Sequence, residues 1–210
     1  MDTTKIQYKK SIGFSMIELI IGISLLLMIG VAIWTFQKDI FSLNSTISDS
    51  VVAQDDVRRI FKTITSEIRS ASASSIGGYS IDSATSTSFI FYSDINDNGI
   101  KERIRYFLDG NTLKKGIVEP SGNPIIYNLA NEKISEIVHN IRNIDNNTAP
   151  IFSYYDTNYD GSTPPLADPV NILAIRLVKI TVIVDQDTSK LPSAVTFTTQ
   201  VSIRNLKDNL

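Results

Sequence analysis

The sequence predicts an α+β protein, one long N-terminal helix followed by a head built on an antiparallel β-sheet. Three observations carry that reading. Residues 15–36 form an apolar run whose single charge is Glu18. Apolar residues then recur at three- and four-residue steps as far as Ala71, with no Gly or Pro from Val31 to Ile76. From Phe89 onward the period falls to two, most clearly between Arg176 and Arg204.

The helix comes in two parts. Residues 14–36, 23 in number, make about 35 Å of helix at 1.5 Å per residue. That crosses a hydrocarbon core of roughly 30 Å. Lys5, Lys9 and Lys10 precede the run and only Asp2 opposes them, so the leader should stay cytoplasmic with the rest outside. Past Phe36 the helix turns amphipathic. Ile40, Leu43, Ile47, Val51, Val57, Ile60, Phe61, Ile64, Ile68 and Ala71 form one stripe among Asp, Gln, Lys and Arg. A single helix of about 60 residues, from Phe14 to Ala73, would be roughly 90 Å long. The alternative is two helices with a bend in residues 43–49, where Ser and Asn cluster.

Residues 70–88 are rich in Ser, Thr, Gly and Ala and read as an exit loop. Residues 89–92 form a short buried strand. Ile104, Tyr106 and Leu108 alternate along the next, Asp109-Gly110-Asn111 turns the chain, and residues 112–118 return as a hairpin partner. Pro120 and Pro124 break the chain before an expected strand at 125–129. Residues 131–144 fit either element: Ile134, Ile137, Val138 and Ile141 have helical spacing, yet four β-branched residues suit a strand. A short helix to about Asn140 is the reading adopted. Residues 151–155 form a strand and 156–168 a long loop. The terminal hairpin has Val178, Ile180, Val182 and Val184 on one face, then Val195, Phe197, Thr199, Val201 and Ile203. Its buried face would cover the helix stripe.

Composition narrows the function. Net charge is −2 with no basic block beyond the leader, so nothing points to nucleic acid. There is no Cys and a single His, His139, which removes thiolate metal sites and most nucleophilic arrangements. No Gly-x-Ser-x-Gly elbow or phosphate loop occurs. The chain is not expected to be an enzyme.

Glu18 is the anomaly, because a carboxylate inside a spanning helix costs on the order of 2.5–3.5 kcal/mol on insertion scales. A cut between Gly13 and Phe14 would create an ammonium one helical turn from it. The stretch Gly13-Phe14-Ser15-Met16-Ile17-Glu18, behind Lys9-Lys10 and at the mouth of an apolar span, resembles the prepilin processing site of type IV pilins and type II secretion pseudopilins. That resemblance implies cleavage after Gly13 by a prepilin peptidase/methyltransferase, N-methylation of Phe14, and a subunit-assembly role for Glu18. It divides the chain into a leader (1–13), a membrane and fibre-core helix (14–36), an amphipathic helix (37–75) and a β-rich head (76–210), a pilin-like plan. The implied partners are other pilins or pseudopilins, the inner-membrane assembly platform and the inner membrane itself. The implied location is the cytoplasmic membrane and then a pilus or pseudopilus fibre. Phe91-Tyr92-Ser93-Asp94 with Glu102-Arg103, Tyr154-Tyr155-Asp156, and the ending Ser202-Ile203-Arg204-Asn205-Leu206 are similar to J-type minor pseudopilins and W-type minor pilins. One departure is plain: many major type IV pilins carry a Pro inside the span, and this helix has none.

Two loops share D-x-N-x-[ND]-G: Asp94, Asn96 and Asn98 before Gly99, and Asp156, Asn158 and Asp160 before Gly161. Alternating oxygen ligands followed by Gly resemble the start of a calcium loop. The twelfth positions are Arg105 and Ala167, so the bidentate Glu is missing from both. Asp and Asn also make turns for conformational reasons alone, and that reading is preferred to calcium.

The function expected is a minor pilin or pseudopilin that initiates or caps a type II secretion pseudopilus or type IV pilus. The rival is a single-span envelope sensor or calcium-binding surface domain, which would keep Met1. A plain anchor leaves Glu18 unexplained, and a secretory signal cut after Ala32 would leave Ile33-Trp34 as an apolar end.

Overall fold

The structure is a computed structural model that describes residues 13, 15–143, 149–184 and 194–206, with 39–56 as backbone alone. The chain forms two compact units, Met1–Val52 and Ala53–Leu210. One helix, α1 (Met16–Arg69), carries residues of both and is assigned as a single element. It ends four residues before the expected Ala73. Side chains of the stripe from Ile40 to Val51 lie outside the described residues.

Within the first unit, Met16–Lys38 is one helix long and apolar enough to cross a membrane. Every large apolar side chain from Met16 to Phe36 is more than half exposed. Its polar groups turn inward on their own helix. Ser24 Oγ donates to the Ile21 carbonyl at 2.8 Å, and Thr35 Oγ1 donates to the carbonyls of Ala32 at 2.9 Å and Val31 at 3.2 Å. Such back-bonding leaves no hydroxyl in need of water.

The second unit holds the core. Along the end of α1, Val57, Phe61, Ile64 and Ile68 are buried at four- and three-residue steps, one stripe of an amphipathic helix. Among the described residues, eight strands follow in two antiparallel sheets rather than the single sheet expected. The first sheet is a meander of β1 (Ile81–Ala84), β2 (Ser88–Ser93), β3 (Glu102–Asp109), β4 (Thr112–Val118) and β5 (Lys133–Val138), in that spatial order. The second orders β6 (Phe152–Tyr155), β7 (Leu177–Val184) and β8 (Val195–Ser202). Phe89, Phe91, Tyr106, Phe152 and Tyr154 pack between them, each at most 2% exposed. Ring centroids lie 5.2 Å apart for Phe89–Phe91 and 5.5 Å for Phe89–Tyr154. Each fully buried side chain of this size contributes about 1.5–3 kcal/mol.

Asn143, 2% exposed, ties the segment after β5 to β7. Its Nδ2 donates to the carbonyls of Thr181 at 2.8 Å and Ala149 at 3.2 Å, while its Oδ1 accepts the Ile183 N–H at 2.8 Å. A buried amide is retained where its donors and acceptor are all used. Ile141 forms an isolated bridge to Val184 beside it.

Three expectations fail in this head. Residues 131–140 are not a helix, because β5 occupies Lys133–Val138. Ile134 is 54% exposed, so there is no apolar stripe for a helix to bury. The free edge of β4 takes the strand instead, and Lys114 pairs with the facing Glu136 at 3.2 Å. Residues 125–129 make no strand, only an isolated bridge from Ile126 to Ser121 and then a 3-10 turn at Leu129–Asn131. Tyr127 is drawn inward there, donating to the Lys101 carbonyl at 2.7 Å and accepting the Ser75 N–H at 3.0 Å. The exit loop contains β1, whose Ser-rich sequence hides a strand formed because Ile81 and Ala84 are buried against β2. Context overrides composition in such short strands.

Candidate functional site

The sequence places its strongest candidate site at the start of α1. Gly13 is exposed, and Phe14 lies outside the described residues. Ser15 and Glu18 form a reciprocal pair: the Ser15 N–H donates to Glu18 Oε2 at 3.1 Å, and the Glu18 N–H donates to Ser15 Oγ at 3.3 Å. This is a capping box. It satisfies two of the donors orphaned at a helix start and sets a carboxylate against the positive end of the helix dipole. Reading Glu18 solely as an unpaired charge missed it, although Ser-x-x-Glu is visible in residues 15–18. The arrangement fixes the carboxylate one turn inside the helix, on the side where the chain enters.

The two D-x-N-x-[ND]-G loops are closed turns. In the first, Asp94 accepts the N–H groups of Gly99 at 2.8 Å and Asn98 at 3.1 Å, and the Lys101 ammonium at 3.1 Å. Asn96 Oδ1 accepts the Asn98 N–H at 3.1 Å, and Asn98 Oδ1 accepts the Ile100 N–H at 2.7 Å. Positive φ at Asp97 (57°) and Gly99 (85°) completes the reversal. Glu102, 1% exposed, reaches back from β3 to accept Ile95 N–H at 3.0 Å and Asn96 Nδ2 at 2.8 Å. A search confined to the twelfth position passes over this carboxylate. In the second loop Asp156 accepts the Asn158 N–H at 2.9 Å. Asp160 Oδ1 accepts the hydroxyls of Thr163 at 2.7 Å and Ser162 at 2.9 Å, together with both their N–H groups.

Asp94, Asn96, Asn98 and Glu102 are the oxygens that could meet a cation, and all are already engaged within the loop. Among the described residues no group of three or more His, Cys, Asp or Glu is placed to hold a metal. The full chain in detergent is therefore expected to melt at the same temperature in millimolar calcium and in chelator. A rise in calcium that Asp94→Ala removes would assign a cation to the first loop.

Acid should open both turns. Burial raises the Asp94 carboxyl, but donation from Lys101, Gly99 and Asn98 outweighs it and the pKa is lowered. At Asp160 the Thr163 hydroxyl, then the N–H groups and hydroxyl of Ser162 and Thr163, hold the carboxyl well below the usual range. A depressed folded pKa means stabilisation that is complete above the unfolded value of roughly 4 and is lost as pH falls below it.

Two charged clusters brace the head. Glu67 on α1 accepts the Tyr106 hydroxyl and the Lys115 ammonium, both at 2.6 Å. Arg105 donates through Nε (2.8 Å) and a second nitrogen to Glu132 and stands 3.8 Å over the Phe107 ring. Glu132 reaches it across Gly116, where an added Cβ would lie 2.2 Å from the carboxylate oxygen. His139 is exposed and, among the described residues, meets only Thr112 and Glu136, at 3.4 and 3.9 Å.

The chain matches no protein-family model and no curated protein. The chain is α+β, with one apolar N-terminal helix that carries a carboxylate in its first turn and, among the described residues, a head of two antiparallel sheets.

Proposed function

We propose that the chain is a minor pilin or pseudopilin, a structural subunit matured by cleavage after Gly13 and methylation of Phe14. One observation carries the reading: Gly13-Phe14 stands directly before a capped, all-round apolar helix, in a chain whose second unit is a β-rich head. A basic leader with Gly13 before Phe14 serves a peptidase acting at the cytoplasmic face. The exposed apolar surface of residues 16–36 suits a bilayer first and a bundle of like helices afterwards. In that bundle Glu18 meets the new ammonium of Phe14, within one chain or from one subunit to the next.

The head supports a structural role. Asp94, Glu102, Asp156 and Asp160 are engaged in turns, Asp82 and Glu132 in ion pairs, and its one His is at the surface. Mature protein extracted from the membrane is expected to begin at methylated Phe14 by mass spectrometry.

A further inference from the structure

A groove of about 700 Å³ runs between the end of α1 and β8, wholly within the second unit. On the helix side it is lined by Arg58, Lys62 and Arg69. All three are exposed, and none makes an ion pair among the described residues. The opposite wall is residues 196–199, four consecutive residues of β8. Successive side chains of a strand point to opposite faces. A groove that touches four in a row therefore meets the strand along its edge. β8 is the outermost strand of its sheet and, among the described residues, pairs only with β7.

An open edge presents a row of unpaired N–H and C=O groups, a template for another strand. Natural edges are guarded by charge on the strand itself, by Pro or by a bulge. Residues 196–199 are Thr-Phe-Thr-Thr, with none of these guards. The β7–β8 register is unbroken over eight pairs from Leu177↔Ser202 to Val184↔Val195. Among the described residues that line the groove, the charged ones are the three cations of the helix flank, which stand across it from β8.

We infer that this groove is a docking site for an acidic, extended segment of a partner protein, which adds a strand to β8 and sets carboxylates against Arg58, Lys62 and Arg69. Backbone pairing with β8 supplies affinity, and alternate side chains supply specificity. Residues on the face shared with Phe197 point towards the helix flank, so the acids belong at alternate positions of the incoming strand. Phe197, half-buried with its ring 6.3 Å from Phe61, gives the floor an apolar patch between them. The inference concerns the head alone and does not depend on cleavage at Gly13.

The test uses the full chain in non-ionic detergent and a short labelled peptide alternating Glu with Val and Thr, read by fluorescence anisotropy. Binding is expected to weaken about tenfold or more with Gln in place of Glu, with Arg58→Glu/Arg69→Glu, or with N-methylated peptide that cannot pair its backbone. Amide exchange at residues 196–199 is expected to slow when the Glu peptide is bound. Equal binding of the Gln or the N-methylated peptide would overturn the proposal, as would binding that the two charge reversals leave unchanged. Displacement of the peptide by millimolar inorganic phosphate would make the groove a simple anion site and overturn it too. Self-association of the chain abolished by the same reversals would assign the groove to a second copy instead.

Discussion

Under the proposed maturation, Glu18→Ala is expected to insert and to lose residues 1–13, yet to co-purify with partner subunits at least about tenfold less. Two roles of the carboxylate have to be separated. As half of a capping box it stabilises the start of α1, which is worth about 1 kcal/mol. That loss would fray one turn and leave assembly largely intact. In the proposed fibre the stakes rise, because water is excluded and the Phe14 ammonium at the positive end of the helix dipole needs a counter-charge. Removing one partner of a buried pair costs roughly 3–5 kcal/mol, mostly by stranding the other. Each 1.4 kcal/mol is a factor of about ten. Ser15→Ala serves as the control, since it breaks the box and keeps the charge; its co-purification should stay near normal. Glu18→Asp, one methylene short, should be partly tolerated. Unchanged co-purification of Glu18→Ala would contradict the pairing.

Glu67→Ala is expected to destabilise the head by about 3 kcal/mol, read as a lower melting temperature of the full chain. Glu67 is a carboxylate that α1 sets between β3 and β4, and its side chain is 12% exposed. Its removal strands the Lys115 ammonium, 14% exposed, and the hydroxyl of Tyr106, 1% exposed. An unpaired charge at such depth is the larger part of the loss. Tyr106→Phe should cost less, about 1 kcal/mol, because Glu67 keeps its ion pair with Lys115 and no charge is stranded. Lys115→Met in the Glu67→Ala background should recover part of the stability if stranding is the cause. Burial, then the neighbouring Glu67, raises the Tyr106 phenol well above its ordinary value. A raised folded pKa means stability that is complete below the unfolded value of roughly 10 and falls as pH rises beyond it.

Where periodicity was long, the fold was legible. The helix stripe from Val57 to Ile68 and the strands β7 and β8 were read from spacing, since each turns one face to the core, and the run 15–36 was read from its unbroken apolar composition. Short elements were not. β1 has four residues and takes its strand character from Phe89 and Phe91 across the sheet. β5 carries isoleucines at helical spacing, but the open edge of β4 decided its state. Nor did spacing mark Asn143, a polar residue only 2% exposed in the segment between β5 and β6. At the candidate site the sequence pointed to Gly13 and Glu18 but not to the Ser15 box, because attention to charge overlooked the hydrogen bond. The Glu67–Tyr106–Lys115 cluster joins residues 39 and 48 positions apart, a distance across which no local pattern speaks.

The central claim is tested by the N-terminus of the chain as it leaves the membrane. Terminal-peptide mass spectrometry is to be run on protein extracted from cells with an active prepilin peptidase, beside Gly13→Leu. The account predicts a mature chain beginning at N-methylated Phe14, and an uncut Gly13→Leu variant because a bulky side chain does not fit a small subsite. Intact Met1 on the natural sequence, or a chain cut after Ala32, would contradict it.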